Sequence, residues 1–297
     1  MRATLKRFWF QAEQRHLGVI AKMLFRLIIH GGTGPILLSS DEIDVIRREK
    51  REQRKRSPQK VEREDMVSIG IFACNRYDFL KTTCESLAKF LAQYGSEFRH
   101  EIILFHDGPN AEIETWAREN PLFDRVLFNA VNHGLSKNIN AFWFEESKGK
   151  YILNIEDDWR CEFKDNFVRT AREILESDED VGCVRIGRRQ PDDYRVWNKA
   201  SKIDGRPISE AERKTSSGKG YRLLETFGYD NSCALYRFSS LTLTGRMKDE
   251  GIPRRAQESE YMKRYNAYWF GARGARFEDS PFLHIGAGKS APEWDVR

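Results

Sequence analysis

The sequence has few cysteines, and they form no pattern in which they could act together. Its five cysteines, Cys74, Cys84, Cys161, Cys183 and Cys233, are scattered and odd in number, and no two form a CxxC pair. Neither a zinc site nor a disulfide framework is therefore indicated. A chain without disulfides fits a reducing compartment, and we expect a cytoplasmic protein.

Long hydrophobic runs are also absent. No stretch of about 18 consecutive apolar residues occurs, so no membrane-spanning helix is expected. The N-terminus lacks the apolar core and cleavage site of a signal peptide, so none is expected. The net charge is only +5 in 297 residues. This balance is compatible with anionic ligands such as nucleotides, but it does not indicate a nucleic-acid partner.

Residues 1–36 combine apolar residues at near-helical spacing with basic residues between them. A basic amphipathic helix that carries Phe8 and Trp9 can lie in a membrane interface. The protein would then be peripheral on the inner face of a membrane. Such a helix can equally pack on the rest of the protein or on a partner, and both interpretations stay open.

A charged helix is expected after this segment. Ser39 or Ser40 fits its cap, basic and acidic residues alternate along it, and Ser57-Pro58 ends it. We place the domain boundary near residue 65. Residues 1–65 then form a helical extension with a charged linker, and residues 66–297 form the main domain.

Predicted strands and helices alternate from residue 66 onward. Strands are expected over 66–73, 101–106, 125–129 and 151–155, and helices over 79–94, 111–119 and 135–148. This order predicts an α/β fold with a mostly parallel central sheet and helices on both faces. Ligands of such sheets bind at the carboxyl ends of the strands.

Polar side chains follow each of these strands. Asn75, Asp107 and Asn132 follow the first three, and Glu156-Asp157-Asp158 follows the fourth. Three adjacent carboxylates repel one another, and at the end of a buried strand they are also partly desolvated. A divalent cation removes both costs, and carboxylate oxygens suit Mg²⁺ or Mn²⁺. Alone, the triplet could be a solvent-exposed turn; its place beside other polar strand ends favours a metal site.

The second half of the chain is less regular. A helix is expected over 163–177, a strand over 181–186, and later helices from about 238 and over 257–268. The polar stretch 187–221 is longer than an ordinary loop, which is typical of a functional or mobile segment such as a lid over a bound donor.

The ordered motifs resemble those of nucleotide-sugar glycosyltransferases of the GT-A fold, in particular the large family 2 group. They are VSIGIFACNRYDFLKTTCESL, ILFHDGPN, NHGLSKNIN, YILNIEDDW and YDNSCALYRFSSLTLTG. The resemblance covers roughly residues 66–288. It implies a Rossmann-like GT-A domain with a nucleotide-binding half, 66–187, and an acceptor half, 188–297.

The resemblance implies a donor site at the strand ends. The backbone around Ala73 and Asn75 would hold the nucleobase, and Asp107 would accept a hydrogen bond from a uracil-type ring. Lys137 would lie near the phosphates or the sugar. A UDP-type donor is favoured, although Asp107 is followed by Gly-Pro rather than Gly-Ser, which leaves the base open.

The resemblance also implies a metal site. Asp158 would coordinate the Mn²⁺ or Mg²⁺ that bridges the diphosphate. Glu156 and Asp157 would hold ribose or sugar hydroxyls and support the metal. His284 is a further candidate ligand of the metal or a phosphate, but a single histidine can equally be a structural residue.

An inverting transfer needs a base that takes the proton of the acceptor hydroxyl. The resemblance implies an acidic residue at the start of a late helix, where Glu258 and Glu260 lie. Carboxylates also suit the first turn of any helix, because of the helix dipole. Both residues are candidates, and we favour Glu258.

These features predict a metal-dependent glycosyltransferase that moves a sugar from a nucleotide donor to a hydroxyl of a glycan, lipid-linked or other acceptor. Inverting, non-processive transfer is expected, since the Gln-x-x-Arg-Trp motif of processive enzymes is absent. One alternative is a nucleotidyltransferase acting on sugar phosphates, but FACNRYDFL lacks the expected glycine-rich, basic loop. Another is a non-catalytic GT-A-like binding module, which the intact acidic triplet disfavours.

Overall fold

A computed structural model describes residues 40–56, 62–188, 202–203, 206–207, 210–224, 233–248, 254–274 and 280–286. The chain divides into two units, residues 1–58 and 59–297. In the first unit the described part is helix α1, Ser40–Arg56, as predicted. The amphipathic helix predicted within residues 1–36 lies outside the described residues. None of the described helices could span a bilayer.

The second unit contains alternating strands and helices. The strands are β1 (Glu64–Ala73), β2 (His100–Asp107), β3 (Arg125–Asn129), β4 (Gly149–Glu156), β5 (Trp159–Cys161), β6 (Val181–Arg185), β7 (Gly187–Arg188), β8 (Lys202–Ile203), β9 (Arg206–Pro207), β10 (Glu210–Lys214), β11 (Gly220–Leu224), β12 (Ala234–Arg237), β13 (Phe270–Gly274) and β14 (Phe282–His284). The helices are α2 (Tyr77–Tyr94), α3 (Ala111–Glu119), α4 (Leu135–Ala141), α5 (Phe167–Ser177), α6 (Phe238–Thr244) and α7 (Arg254–Tyr268).

A nine-stranded sheet forms the centre of this unit, in the order β10-β11-β13-β6-β12-β4-β1-β2-β3. Its β4-β1-β2-β3 part is parallel, as the alternation of strands and helices predicted. Strand β12 pairs antiparallel with both β4 and β6, so the later part of the chain joins the same sheet. The carboxyl ends of β1, β2 and β4 therefore lie side by side at one edge.

Helices cover both faces of the sheet, which confirms the predicted α/β arrangement. One buried cluster joins α2, through Leu80 and Leu87, to Ile69 and Ile71 of β1. The opposite cluster contains the side chains of α4, α6 and α7. Because β1 is covered on both faces, its sequence is a nearly continuous apolar run, as expected for a central parallel strand.

Gly70 of β1 allows an aromatic ring to lie directly on the strand. A Cβ at this position would lie 2.5 Å from Cε1 of Phe142. Phe142 and Trp143 follow α4 in a π-helical turn, Phe142–Glu146, and both side chains are buried. The helix predicted over 135–148 is therefore an α-helix only to Ala141.

Three other segments differ from the sequence prediction. The helix predicted from residue 163 begins at Phe167, because Asn166 caps it by accepting a hydrogen bond from the amide of Arg169 at 3.0 Å. Residues 210–224, within and just beyond the predicted polar segment, form the β10–β11 hairpin at the sheet edge, with Tyr221 and Leu223 buried. The last helix begins at Arg254, so Glu258 is its fifth residue rather than part of its start.

A small second sheet has the order β5-β14-β7. Strand β14 pairs antiparallel with β5, which follows directly after the acidic triplet, and places His284 opposite Trp159. Strand β5 was not predicted from the sequence. This pairing brings the late residues of the chain to the carboxyl end of β4.

Candidate active site

The polar residues after β1, β2 and β3 lie together, as their positions at strand ends predicted. Asn75 Oδ1 accepts a hydrogen bond from Asn110 Nδ2 at 3.4 Å, and Asn132 Nδ2 donates to Cys74 Sγ at 3.4 Å. Ala73 is the buried last residue of β1. Asn75 has a φ of 51°, a left-handed conformation that asparagine tolerates better than most residues. This turn connects β1 to α2.

Asp107, the predicted base-binding residue, holds the loop before α4. Its carboxylate accepts hydrogen bonds from the amides of His133 and Gly134, both at 2.7 Å, and from Asn129 Nδ2 at 3.1 Å. A carboxylate has about four acceptor positions, so three of them are used inside the protein. A hydrogen bond to a nucleobase stays a prediction for the remaining position.

Lys137 is exposed on α4 and lines a cavity of about 750 Å³ beside β3. Arg246 and Lys248 line the same cavity, whereas the acidic triplet does not. Lys137 and the acidic triplet therefore do not line the same cavity. Its contact with the phosphates or the sugar stays a prediction.

The acidic triplet forms a tightly held turn. Glu156 ends β4, and Asp157 and Asp158 connect it to β5. The hydroxyl of Thr83 in α2 donates to the backbone oxygen of Asp157 at 2.7 Å. The amide of Ile285 donates to the backbone oxygen of Asp158 at 2.9 Å. Helix α2 and the segment after β14 thus fix the turn from two sides.

Arg76 is the functional candidate that the sequence analysis missed. Its Nη1 donates to Asp158 Oδ2 at 2.7 Å and its Nε donates to Asp157 Oδ2 at 3.2 Å, while Nη2 binds Asp157 Oδ1. One guanidinium thus bridges two of the three carboxylates. A usable signal was present, because Arg76 directly follows Asn75 at the same sheet edge and a buried acidic triplet requires a positive partner.

The pKa values of the two aspartates of the turn shift in opposite directions. Burial raises the pKa of Asp157 to about 7, although Arg76 favours its charged form. Burial has the same tendency at Asp158, but there the hydrogen bond with His284 and the charge of Arg76 prevail and lower the pKa. Asp158 is therefore ionised at neutral pH, as a metal ligand must be.

The surroundings of Asp158 fit a divalent cation. Among the described residues, Asp158 Oδ1 and His284 Nδ1 are buried without a hydrogen-bond partner. His284 Nε2 lies 3.4 Å from Asp158 Oδ2, and the two rings of His284 and Trp159 are 4.9 Å apart. A Cβ on Gly286 would lie 2.9 Å from Asp158 Cγ, so the chain passes directly over this carboxylate.

The described residues alone supply an incomplete set of metal ligands. Within the described part of the chain, no group of three or more His, Cys, Asp or Glu side chains is arranged to hold a metal ion. This fits the usual binding of Mg²⁺, which takes one or two carboxylates and completes its shell with water and substrate phosphates. Asp158 and His284 would be the ligands that the protein contributes to such a coordination shell.

The structure distinguishes between Glu258 and Glu260. The carboxylate of Glu260 pairs with Arg264 at 2.8 Å and Lys248 at 3.7 Å. Two positions along a helix differ in direction by about 200°, so Glu258 lies on the opposite side of α7. The pKa of Glu156 is raised well above its usual value. Burial is the largest cause, and the charges of Asp158 and then Glu258 add to it. Of the two candidates, Glu258 is therefore the one close to the acidic turn.

The comparison with protein families decides the identity. The model of glycosyl transferase family 2 matches residues 68–243, more than half of the chain. The chain belongs to glycosyl transferase family 2. The match begins in β1 and ends in α6, and it includes Arg76 and the acidic triplet. The predicted GT-A fold and the assignment as a glycosyltransferase are thereby confirmed.

Solved structures of other glycosyltransferases resemble this family 2 member distantly. They include S. aureus TarS, with 14% identity, 74% of this chain and 36% of that chain covered, and a TM-score of 0.47. The mannosyltransferase PcManGT from Pyrobaculum calidifontis, in complex with GDP-Man and Mn²⁺, has 12% identity, coverage of 84% and 67%, and a TM-score of 0.49. GalNAc-T7 with UDP, GalNAc and Mn²⁺ has 13% identity, coverage of 84% and 53%, and a TM-score of 0.48.

This family 2 chain spans only 36% of TarS and 53% of GalNAc-T7. All three TM-scores are below 0.5, and the bound molecules belong to those proteins. No curated protein sequence matches the chain significantly.

Proposed function

We propose that this glycosyltransferase is metal-dependent and uses a nucleoside-diphosphate sugar, with a UDP-type donor favoured. The acceptor would be a hydroxyl of a glycan, of a lipid-linked molecule or of another compound. The observation that carries the proposal is the buried Asp158 after a parallel strand: its Oδ2 lies 3.4 Å from His284 Nε2, and its Oδ1 has no hydrogen-bond partner among the described residues. Membership of family 2 supports the same reading.

Asp158 and His284 would hold Mn²⁺ or Mg²⁺, in the manner of a DXD motif. When bound, the ion supplies a Lewis acid for the negative charge that develops on the leaving diphosphate. Glu156 and Asp157 would bind ribose or sugar hydroxyls next to it. The backbone at Ala73 and Asn75, with Asp107, would hold the nucleobase.

Glu258 would act as the base in an inverting, non-processive transfer. It is exposed on α7 and can therefore be reached by an acceptor. Its carboxylate would take the proton of the acceptor hydroxyl while that oxygen attacks the anomeric carbon and the diphosphate leaves.

The test is donor hydrolysis by the full chain. UDP- and GDP-sugars are incubated with Mn²⁺, with Mg²⁺ or with EDTA, and nucleoside diphosphate and pyrophosphate are measured. We expect slow, metal-dependent release of nucleoside diphosphate from one donor class, and none in EDTA. Release of pyrophosphate in a parallel assay that supplies a nucleoside triphosphate and a sugar phosphate would instead indicate a nucleotidyltransferase. No turnover and no donor binding with any metal would indicate a non-catalytic module.

We also propose that residues 1–36 contact a membrane surface. The proposal rests on their basic amphipathic sequence. Deleting them is expected to lower co-sedimentation with anionic liposomes and to leave donor hydrolysis nearly unchanged, with neutral liposomes as the control. Equal sedimentation of the intact and shortened chains would assign the segment to packing within the protein or with a partner.

A further inference from the structure

Arg76 places its positive charge beside Asp157 and Asp158, where a bound metal ion would also place its charge. We propose that Arg76 is an internal counter-cation that binds Asp157 and Asp158 in the free enzyme and transfers to the donor diphosphate when metal and donor bind. Metal binding would then be weak without nucleotide and tight with it. This inference rests on the proposed function, because it assumes a metal site at Asp158.

The contacts place Arg76 and a metal in competition for one carboxylate. Asp158 Oδ2 accepts from Arg76 Nη1 at 2.7 Å, while Oδ1 of the same group has no hydrogen-bond partner among the described residues. A divalent ion on Asp158 would lie within a few ångströms of the guanidinium. Two positive charges at such a distance repel strongly when they are partly shielded from water.

The positive charge of Arg76 is stabilised by the carboxylates that it contacts, as expected of a counter-cation. Burial alone lowers the pKa of its guanidinium, but Asp157 and Asp158 outweigh this effect and raise it. Asp157, only 1% exposed, has both carboxylate oxygens on Arg76. In the absence of a metal, Arg76 therefore neutralises the part of the turn that water reaches least.

The backbone of the acidic turn is held independently of the contacts of Arg76. Its side chain is 23% exposed, and the Phe79 ring lies 5.8 Å from the guanidinium carbon. The turn itself is held by backbone bonds: Thr83 to the Asp157 oxygen, and the Asp157 amide to the oxygen of Phe72 at 2.9 Å. These bonds do not involve Arg76.

A diphosphate offers Arg76 a matching new partner. The planar guanidinium binds phosphate oxygens in the same two-pronged way as it binds carboxylates. After the exchange, Asp158 would be free to bind the metal. The leaving diphosphate would then have two positive partners, the metal and Arg76. Metal and nucleotide would thus bind cooperatively, because each removes the obstacle to the other.

Binding of Mn²⁺ alone tests the inference without any turnover. Free Mn²⁺ is measured by electron paramagnetic resonance with the full chain, with and without UDP or GDP. In the wild type, nucleotide is expected to tighten Mn²⁺ binding at least about tenfold. In Arg76→Gln, Mn²⁺ alone should bind at least about tenfold more tightly than to the wild type, and nucleotide should tighten it much less.

Arg172→Gln is the matched control. Arg172 is 21% exposed, close to the 23% of Arg76, and it pairs with Asp65 at the amino end of β1, opposite the carboxyl strand ends where the acidic turn lies. The substitution removes the same charge away from the acidic turn, so Mn²⁺ binding should stay at the wild-type level. An equal gain in both variants would show a net-charge effect and overturn the role of Arg76.

Arg76→Gln leaves the buried Asp157 without its partner, which can prevent folding. The double variant Arg76→Gln/Asp157→Asn replaces the ion pair by two amides and should show the same gain in Mn²⁺ affinity. If the folded Arg76 variants bind Mn²⁺ with wild-type affinity and nucleotide still tightens that binding, the role of Arg76 is refuted, while the proposed metal site stands. No Mn²⁺ binding by any variant, with or without nucleotide, would refute the proposed metal site as well.

Discussion

Asp158→Asn is expected to reduce metal-dependent donor hydrolysis by at least about a hundredfold. A catalytic metal contributes several kcal/mol to stabilisation of the leaving group, and every 1.4 kcal/mol corresponds to about a factor of ten. Asparagine keeps the shape of Asp158 but not the charge that His284 and Arg76 maintain. The backbone bond from Ile285 does not depend on the side chain, so the fold should persist.

The measurement is the hydrolysis rate at saturating Mn²⁺, together with the melting temperature. Binding of UDP should weaken much more than binding of uridine, because uridine lacks the diphosphate whose charge a bound metal would neutralise. Asp165→Asn is the control, since Asp165 is exposed and pairs with Lys219 at 3.1 Å, away from the turn. A wild-type rate in Asp158→Asn would exclude Asp158 as a metal ligand.

Glu258→Gln is expected to lower the rate of sugar transfer by about a hundredfold to ten-thousandfold, the usual cost of losing a general base. The carboxamide keeps the shape of the side chain but cannot take a proton. Donor affinity should stay near the wild-type value, because the proposed metal and nucleobase contacts lie on other elements.

Glu260→Gln is the matched control, two positions along the same helix. Its carboxylate pairs with Arg264 and Lys248, and this partly exposed pair contributes at most about 1 kcal/mol to stability. The transfer rate should therefore change little. The reverse result would make Glu260 the base, and wild-type rates in both variants would exclude both residues.

The parallel half of the fold was predictable because its signals are local. Helix α3 and strand β3 begin and end where the sequence predicted, since apolar spacing and turn residues mark both ends. Strand β5 was missed. It has three residues, too few for a periodic pattern, and it exists because it pairs with β14 more than a hundred residues later. Such a contact leaves no trace in local sequence.

The candidate site was predictable in part for the same reason. The acidic triplet and His284 were recognised by residue type, and the structure brings Asp158 and His284 together. The three hydrogen bonds of Asp107 and the double contact of Arg76 depend on how strand ends meet in space. The choice between Glu258 and Glu260 required the direction of each side chain on α7, which the predicted helix start did not provide.

The pairing of β5 with β14 also has a consequence for the order in which the protein becomes functional. Strands β1 to β4 and Arg76 are all translated before His284, so a growing chain can pair the acidic turn with Arg76 while the imidazole is still unsynthesised. The guanidinium can then neutralise part of the charge of the turn before β14 is made. Under the proposed function, the pair of Asp158 and His284 that would hold the metal is complete only once residues 282–286 lie over Asp158.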